Sequence, residues 1–407
     1  MIRLRLLFLK HVFYALIALM VVIAGLELGL RLHDSFSGSS GNVSTGEWGL
    51  TVPSGTAHCT LRPLTSRIEH NPDTGAAVRI TTNSFGLRGA EPAVPKPNNV
   101  FRIVCLGDEQ VLAPQIAASE TFCVRLQRLL QPRTAFRIEV VNAGIPGYCP
   151  LLSFLQVRHS LLSLQADLFI LNFDMSDVSD DHRYRRQTRM DGSSTPLACP
   201  HADLSTSGSG RHRSFLERLR IVQWSLCQLK RLPLGSVQAD DRRDIDIPES
   251  RYAWLKDDPP DWSVYIEQAL TPIDRLQQTS RQVYARFFLA IYPKPWQVSG
   301  TASRQARGSF GIPVGNVYRS RKPFDLLAKF AAEHGIEFCD ASSAFARAKH
   351  PDELYLTKAE RFSAHGHQLY ARVLAAYILE HVPDIWTGGP ESSSPSTRVR
   401  QTAVRIR

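Results

Sequence analysis

The chain has 407 residues, a formal net charge of +10 and seven cysteines, enough for one large domain or a domain carrying a sizeable insertion. Much of the positive charge sits at the two ends (Arg3, Arg5, Lys10, Arg398, Arg400, Arg405, Arg407). With no aromatic-interleaved basic groove between them, a nucleic-acid partner is not expected. The cysteines (59, 105, 123, 149, 199, 227, 339) lack C-x-x-C spacing, so neither a zinc site nor a thioredoxin-like motif is supported. An odd count leaves at least one thiol unpaired, and Cys105 reads as a small buried hydrophobe.

Residues 1–34 stand apart. Arg3, Arg5 and Lys10 precede an apolar run from Val12 to Leu26 that continues through Glu27 to Leu30, near the ~20 residues that span a bilayer. The charge bias predicts a signal anchor through residues 12–30, with the N-terminus cytoplasmic and the rest exported to the periplasmic side of a bacterial inner membrane. The rival reading is a cleaved signal peptide, but no small-x-small site follows the apolar core. Glu27 then reads as an interfacial charge.

Residues 35–100 are expected to form a Ser/Gly-rich stalk and an extended lead-in, with Pro92, Pro95 and Pro97 before the first core strand. Residues 101–382 alternate strand and helix. The elements are strand Phe101–Leu106, helix Glu120–Leu130, strand Ile138–Asn142, helix Leu151–Leu164 and strand Leu168–Phe173. After an insertion over 179–260 come helix Val264–Val283, strand Phe287–Ile291, helix Phe324–His334, strand Ile336–Cys339 and helix Gln368–Leu379. Such alternation implies a parallel sheet between two layers of helices, an α/β fold. Within the insertion, the Arg-rich run from His182 to Arg189 and the stretch 191–210 read as surface loop. A stripe of Phe215, Leu219, Val222, Leu226 and Leu229 predicts an amphipathic helix packed on the domain or serving as a lid. Residues 383–407 have no apolar periodicity and read as a disordered basic tail.

The first core strand runs into Gly107, Asp108 and Glu109, at a strand end where α/β folds place their sites. That block, LGDEQ, combines with NAGIPGY (142–148), LNFDMSDV (171–178) and FSAHGHQLYA (362–371). Together they resemble the SGNH, or GDSL-type, hydrolase superfamily in order and spacing from about residue 80 to residue 382. The lead-in TTNSFGLRG (81–89) is similar to one in membrane-anchored relatives. The resemblance implies a three-layer, flavodoxin-like α/β/α sandwich and an ester-bond hydrolase lineage.

The chemistry departs from that pattern. Glu109 stands where the family has its nucleophilic serine and Ser176 where it has the oxyanion-hole asparagine. Ala359 and Arg361 stand where it has the catalytic aspartate and histidine, and Gly144 is kept. No catalytic residue is therefore assigned. Glu109 carries no hydroxyl, its charge would repel a developing oxyanion, and a guanidinium does not act as a base. The candidate binding residues are Asp108, Glu109, Gly144, Ser176, Asp177 and Arg361, with a Glu109–Arg361 ion pair expected in place of the serine–histidine contact. Gly144 could turn a backbone N–H toward the site or simply shape a turn. His367 is expected to cap or pack at the start of the last helix, and His365 cannot be placed.

A hard cation held by Asp108, Glu109, Asp174 and Asp177 is the weaker alternative, since no ligand-loop spacing supports it; neither a metal nor a cofactor is expected. The expected function is that of a membrane-anchored, exported, catalytically inactive SGNH-like protein that binds or scaffolds, with an envelope glycan or acyl ester as ligand. The alternative is an esterase that uses Glu109 as a carboxylate nucleophile.

Overall fold

The computed structural model describes residues 49–205 and 251–382, with two isolated positions, 14 and 25. The chain divides into two units, Met1–Gly49 with Ala202–Asp244, and Leu50–His201 with Ile245–Arg407. Everything below concerns the second. The expected anchor, the first part of the stalk (35–48), the helix at 215–229, Cys227 and the tail from 383 lie outside the described residues. Among the described residues no helix is long and apolar enough to cross a membrane.

Two antiparallel hairpins come first, β1 (Thr51–Pro53) with β2 (Cys59–Leu61), and β3 (Ser66–His70) with β4 (Ala77–Thr81). The central sheet consists of β5 (Val100–Leu106), β6 (Arg137–Asn142), β7 (Leu168–Phe173), β10 (Arg286–Ile291) and β11 (Glu337–Asp340). A short pair, β8 (Arg189–Met190) and β9 (Pro196–Ala198), lies between β7 and β10 in sequence. The sheet order is β11-β10-β7-β5-β6 and every pairing is parallel. Counted from β5, this is the doubly wound order 2-1-3-4-5, which reverses direction at the first strand and opens a crevice at the carboxyl ends there.

The strands form where the sequence is continuously apolar. Every residue of β5 and of β7 is buried, as a strand covered on both faces requires. On one face Ile103, Ile170 and Phe288 meet helices α2 (Phe122–Leu130) and α7 (Ala364–His381). On the other, Val104, Phe169 and Leu289 meet α3 (Pro150–Gln156), α5 (Ser263–Gln282) and α6 (Lys322–Glu333).

Two short helices complete the site region, α1 (Glu109–Leu112) and α4 (Asp177–Arg185). The second corrects part of the loop expected over 182–189, since residues 182–185 are helical and Arg189 begins β8. Its arginines made it look solvated, but the helix buries Asp177, Val178, Ser179, Asp180, Asp181 and Tyr184. Arg185 turns its guanidinium onto Asp181, 3.0 Å away, and onto the Gln268 carbonyl.

The lead-in is also more than an extended arm. Its Arg88 bridges to Asn142 at the end of edge strand β6. The Arg88 guanidinium donates to the carbonyls of Leu112 (2.6 Å) and Ile116 (2.8 Å) and to that of Ala113, all just beyond the first core strand. One lead-in arginine thereby satisfies the carboxyl end of α1, whose carbonyls have no partner within the helix.

Candidate functional site

The site grows from the end of β5. Gly107 has φ +147°, and a Cβ there would lie 2.6 Å from Val111 Cγ2 and 3.0 Å from the Asn172 carbonyl oxygen. Only glycine fits such a turn. Asp108 then caps α1, accepting the Gln110 N–H at 2.8 Å, and this presents Glu109 at the first helical position. At the neighbouring strand end, Asn142 donates to the Val111 carbonyl at 2.6 Å and accepts the Gly144 N–H at 3.1 Å.

The Gly144 N–H is thus spent inside the loop and does not face the site, which corrects that option of the sequence reading. Gly144 is needed for close approach instead, since a Cβ there would lie 2.3 Å from the Leu112 nitrogen. It is Gly147, at φ +72°, whose N–H reaches Glu109 Oε2 at 2.9 Å.

Glu109 and Arg361 come together across the whole domain. Arg361 Nη2 lies 3.2 Å from Glu109 Oε1, and both side chains are about 16% exposed. Arg361 Nη1 also donates to Gln115 Oε1 at 3.1 Å. Burial by itself would raise the Glu109 carboxyl, but Arg361, then Arg251 and the Gly147 N–H, outweigh it and hold the pKa at about 2. Glu109 is therefore a carboxylate at any ordinary pH. The ion pair expected from the sequence is present.

The other candidate positions serve different neighbours. Ser176 gives its N–H (2.7 Å) and its hydroxyl to Asp174 Oδ1. Asp177, 2% exposed, accepts the Asp174 N–H at 3.0 Å; burial and the charges of Asp174 and Asp108 push its carboxyl well up. Asp108 is raised likewise, by burial and then by Asp174 and Glu109. Ala359 packs against Ala113, Ile116 and Leu356, and its carbonyl accepts from Ser303 at 2.8 Å. His365 is on the surface, 3.9 Å from Glu353. His367, 1% exposed, accepts the Phe122 N–H at 3.3 Å, so it caps α2 rather than its own helix. Burial, then Arg88 and Arg125, lowers its pKa to about 3. Ser363 caps α7 by accepting from His365 and Gly366.

Two cations that the sequence reading did not assign complete the charge balance. Lys294, just past the end of β10, places Nζ 2.6 Å from Asp174 Oδ2, with both side chains almost wholly buried. Burial would lower its pKa, but Asp174 raises it well above the usual lysine value. Arg251, returning from the insertion, pairs with Asp180, while its carbonyl accepts from Ser179 at 3.0 Å. Trp254 donates to the Met175 carbonyl at 3.0 Å, so this segment clasps the loop after β7. The strand-end position of Lys294 was a usable signal. Arg251, distant in sequence from every motif, offered none.

The acids thus face Lys294, Arg251 and Arg361, and among the described residues no group of three or more His, Cys, Asp or Glu is arranged to hold a metal ion. A crevice beside Glu109, Gln115, Ile116 and Arg361 is nowhere wide enough to seat a water molecule. From the turn of the β3–β4 hairpin, Asp73 accepts the N–H groups of Thr357 (2.6 Å) and Lys358 (3.0 Å). Asn71 of the same turn donates to the Gln115 carbonyl at 3.2 Å.

No family model matches the chain, and no curated protein does. Among solved structures it is similar to a lipase/acylhydrolase from Enterococcus faecalis, at 12% identity and TM-score 0.37, over 68% of this chain and 95% of that one. It is likewise similar to an acetylxylan esterase from Geobacillus stearothermophilus, at 13% identity and TM-score 0.35, over 68% and 94%. Likenesses this distant carry no argument about the site, and the parallel sheet rests on the chain's own topology.

Proposed function

We propose that this chain is an SGNH-hydrolase-like protein whose ester-cleaving centre has been replaced by an ion pair, and that it works by binding or scaffolding, held in a membrane through residues 12–30 with its α/β domain exported. The observation that carries this is the Glu109 carboxylate, locked between Arg361 and the Gly147 N–H. A nucleophile must be free to attack, and a general base must accept a proton. Here a weak carboxylate nucleophile is engaged on both oxygens, and its partner is a cation that keeps its protons throughout the working range.

The backbone N–H of Gly147, which could otherwise receive a developing oxyanion, already holds a permanent anion. The lineage comes from the four sequence blocks, and the exported location from the apolar run and its flanking charges. The ligand class that goes with that lineage is an envelope glycan or an acyl ester.

The test is hydrolysis of short-chain aryl esters and of acetylated sugars by the full-length chain in detergent, beside a Glu109→Gln variant, with folding of both checked by circular dichroism. No turnover by folded protein is expected. Turnover by the wild type that disappears in the variant would overturn the proposal and make Glu109 the nucleophile of an altered esterase.

A further inference from the structure

We infer that Gln127 and Gln131 stand in for a sixth strand of the central sheet, and that they keep the outer edge of β6 from pairing with β6 of a second copy of this chain. β6 ends the five-stranded sheet on its side, next to β5. The N–H groups of a strand alternate in direction. Those of Arg137 and Ala143 are given to the carbonyls of Asn99 and Cys105, on the β5 side. Those of Ile138, Val140 and Asn142 therefore point outward, and an edge of this kind is a template for another strand.

All three positions are taken. The Ile138 N–H is given to Gln131 Oε1 at 2.9 Å, and Gln131 Nε2 donates to the Phe136 carbonyl at 2.9 Å. A residue of a parallel neighbour bonds in the same way, giving to one carbonyl and taking the N–H two positions further on. The Val140 N–H is given to Gln127 Oε1 at 3.1 Å. Asn142 is bridged by the lead-in at Arg88.

Gln127 lies in the last turn of α2 and Gln131 directly follows it, so the two stand one helical turn apart on the same side. The buried stripe of Phe122, Cys123, Leu126 and Leu130 seats α2 on the sheet in a cluster that includes Ile138, which brings both amides within reach of the strand edge. Glutamine suits the task because its amide both donates and accepts. Two copies related by a two-fold axis would meet β6 to β6, antiparallel. That pairing needs the outward backbone groups of Phe136, Ile138 and Val140, the same groups the two glutamines hold. With the amides gone, Ile138, Val140 and Val141 leave a strand of high β-propensity with an open edge.

The experiment compares the full-length chain in detergent with Gln127→Ala/Gln131→Ala and with Gln127→Lys/Gln131→Lys. The lysine pair removes the same acceptors but adds charges that oppose edge pairing. Sedimentation reads association over a range of protein concentrations, and hydrogen exchange reads the amides of residues 137–142. Circular dichroism and unchanged exchange in β5 and β7 establish that the variants are folded. At low concentration the Ile138 and Val140 amides should exchange roughly tenfold faster in both double variants, the protection that one ordinary hydrogen bond confers. As concentration rises the alanine variant should associate beyond the wild type and regain protection at those two amides, while the lysine variant should not. The single variants separate the two contacts: Gln127→Ala should speed Val140 and Gln131→Ala should speed Ile138. Unchanged exchange in the alanine variant would overturn the inference. So would faster exchange with no added association, or association that leaves Ile138 and Val140 unprotected.

Discussion

Replacing Arg361 by methionine removes the cation while keeping most of the apolar stem, and the structure sets the size of the loss. Glu109 is held at about 2 against an ordinary 4.5, a difference worth about 3 kcal/mol at neutral pH when each unit is ~1.4 kcal/mol. With both side chains about 16% exposed, solvent screens the pair only modestly. Breaking a largely buried pair from one side typically costs ~3–5 kcal/mol.

Arg361→Met should therefore lower the urea-unfolding free energy by about 3 kcal/mol with the m-value unchanged. Glu109→Gln strands the guanidinium and should cost about 2 kcal/mol, since Gln115 remains as a partner. The double variant should fall short of the sum by about 2 kcal/mol, because neither ion is then left unpaired. The depressed pKa fixes the pH sense. The wild-type contribution is complete above the unfolded value near 4.5 and is lost as the pH falls toward 2. Additivity within ~0.5 kcal/mol would refute the reasoning, since it would mean that the two charges are solvated independently.

Gly144→Ala should cost at least about 3 kcal/mol in the same assay, because its Cβ would lie 2.3 Å from a backbone nitrogen. Gly192→Ala, with nothing within 4 Å of its Cβ, should change stability by less than ~0.5 kcal/mol; equal effects would remove close approach as the reason for Gly144. Asp181, 0% exposed and 3.0 Å from Arg185, is raised to about 7, chiefly by burial that Arg185 only partly offsets. A raised carboxyl makes the folded state hold a proton that the unfolded state releases. Stability should fall as the pH rises from about 4 to 7, and Asp181→Asn should flatten that slope; an unchanged slope in the variant would show that another group is responsible.

The strands were legible because burial on both faces leaves a continuous apolar run, as in β5 and β7. The Glu109–Arg361 contact was legible because two blocks of a known order put both residues at one place. What escaped depends on directions that side chains set. Asn142 decides that Gly147 rather than Gly144 faces Glu109, and no spacing rule encodes the orientation of one amide. Helix α4 escaped because its arginines outweigh Val178 and Tyr184 in any local average, although both of those are buried. Lys294 and Arg251 were missed as counter-ions because an acid cluster read along the chain shows its negative charges together, while its cations arrive from other strands and loops.

Glu109 and Arg361 are separated by 252 positions, and Asp73 and Thr357 by 284. Contacts this remote in sequence are the last that a vectorially emerging chain can make. Until residues 357–361 appear, the Glu109 carboxylate has no guanidinium to meet and the hairpin turn at Asp73 has no strap to hold. The candidate site therefore acts as a seal on the finished domain. A chain truncated before residue 357 retains all five strands of the central sheet, but Glu109 lacks the guanidinium that pairs with it.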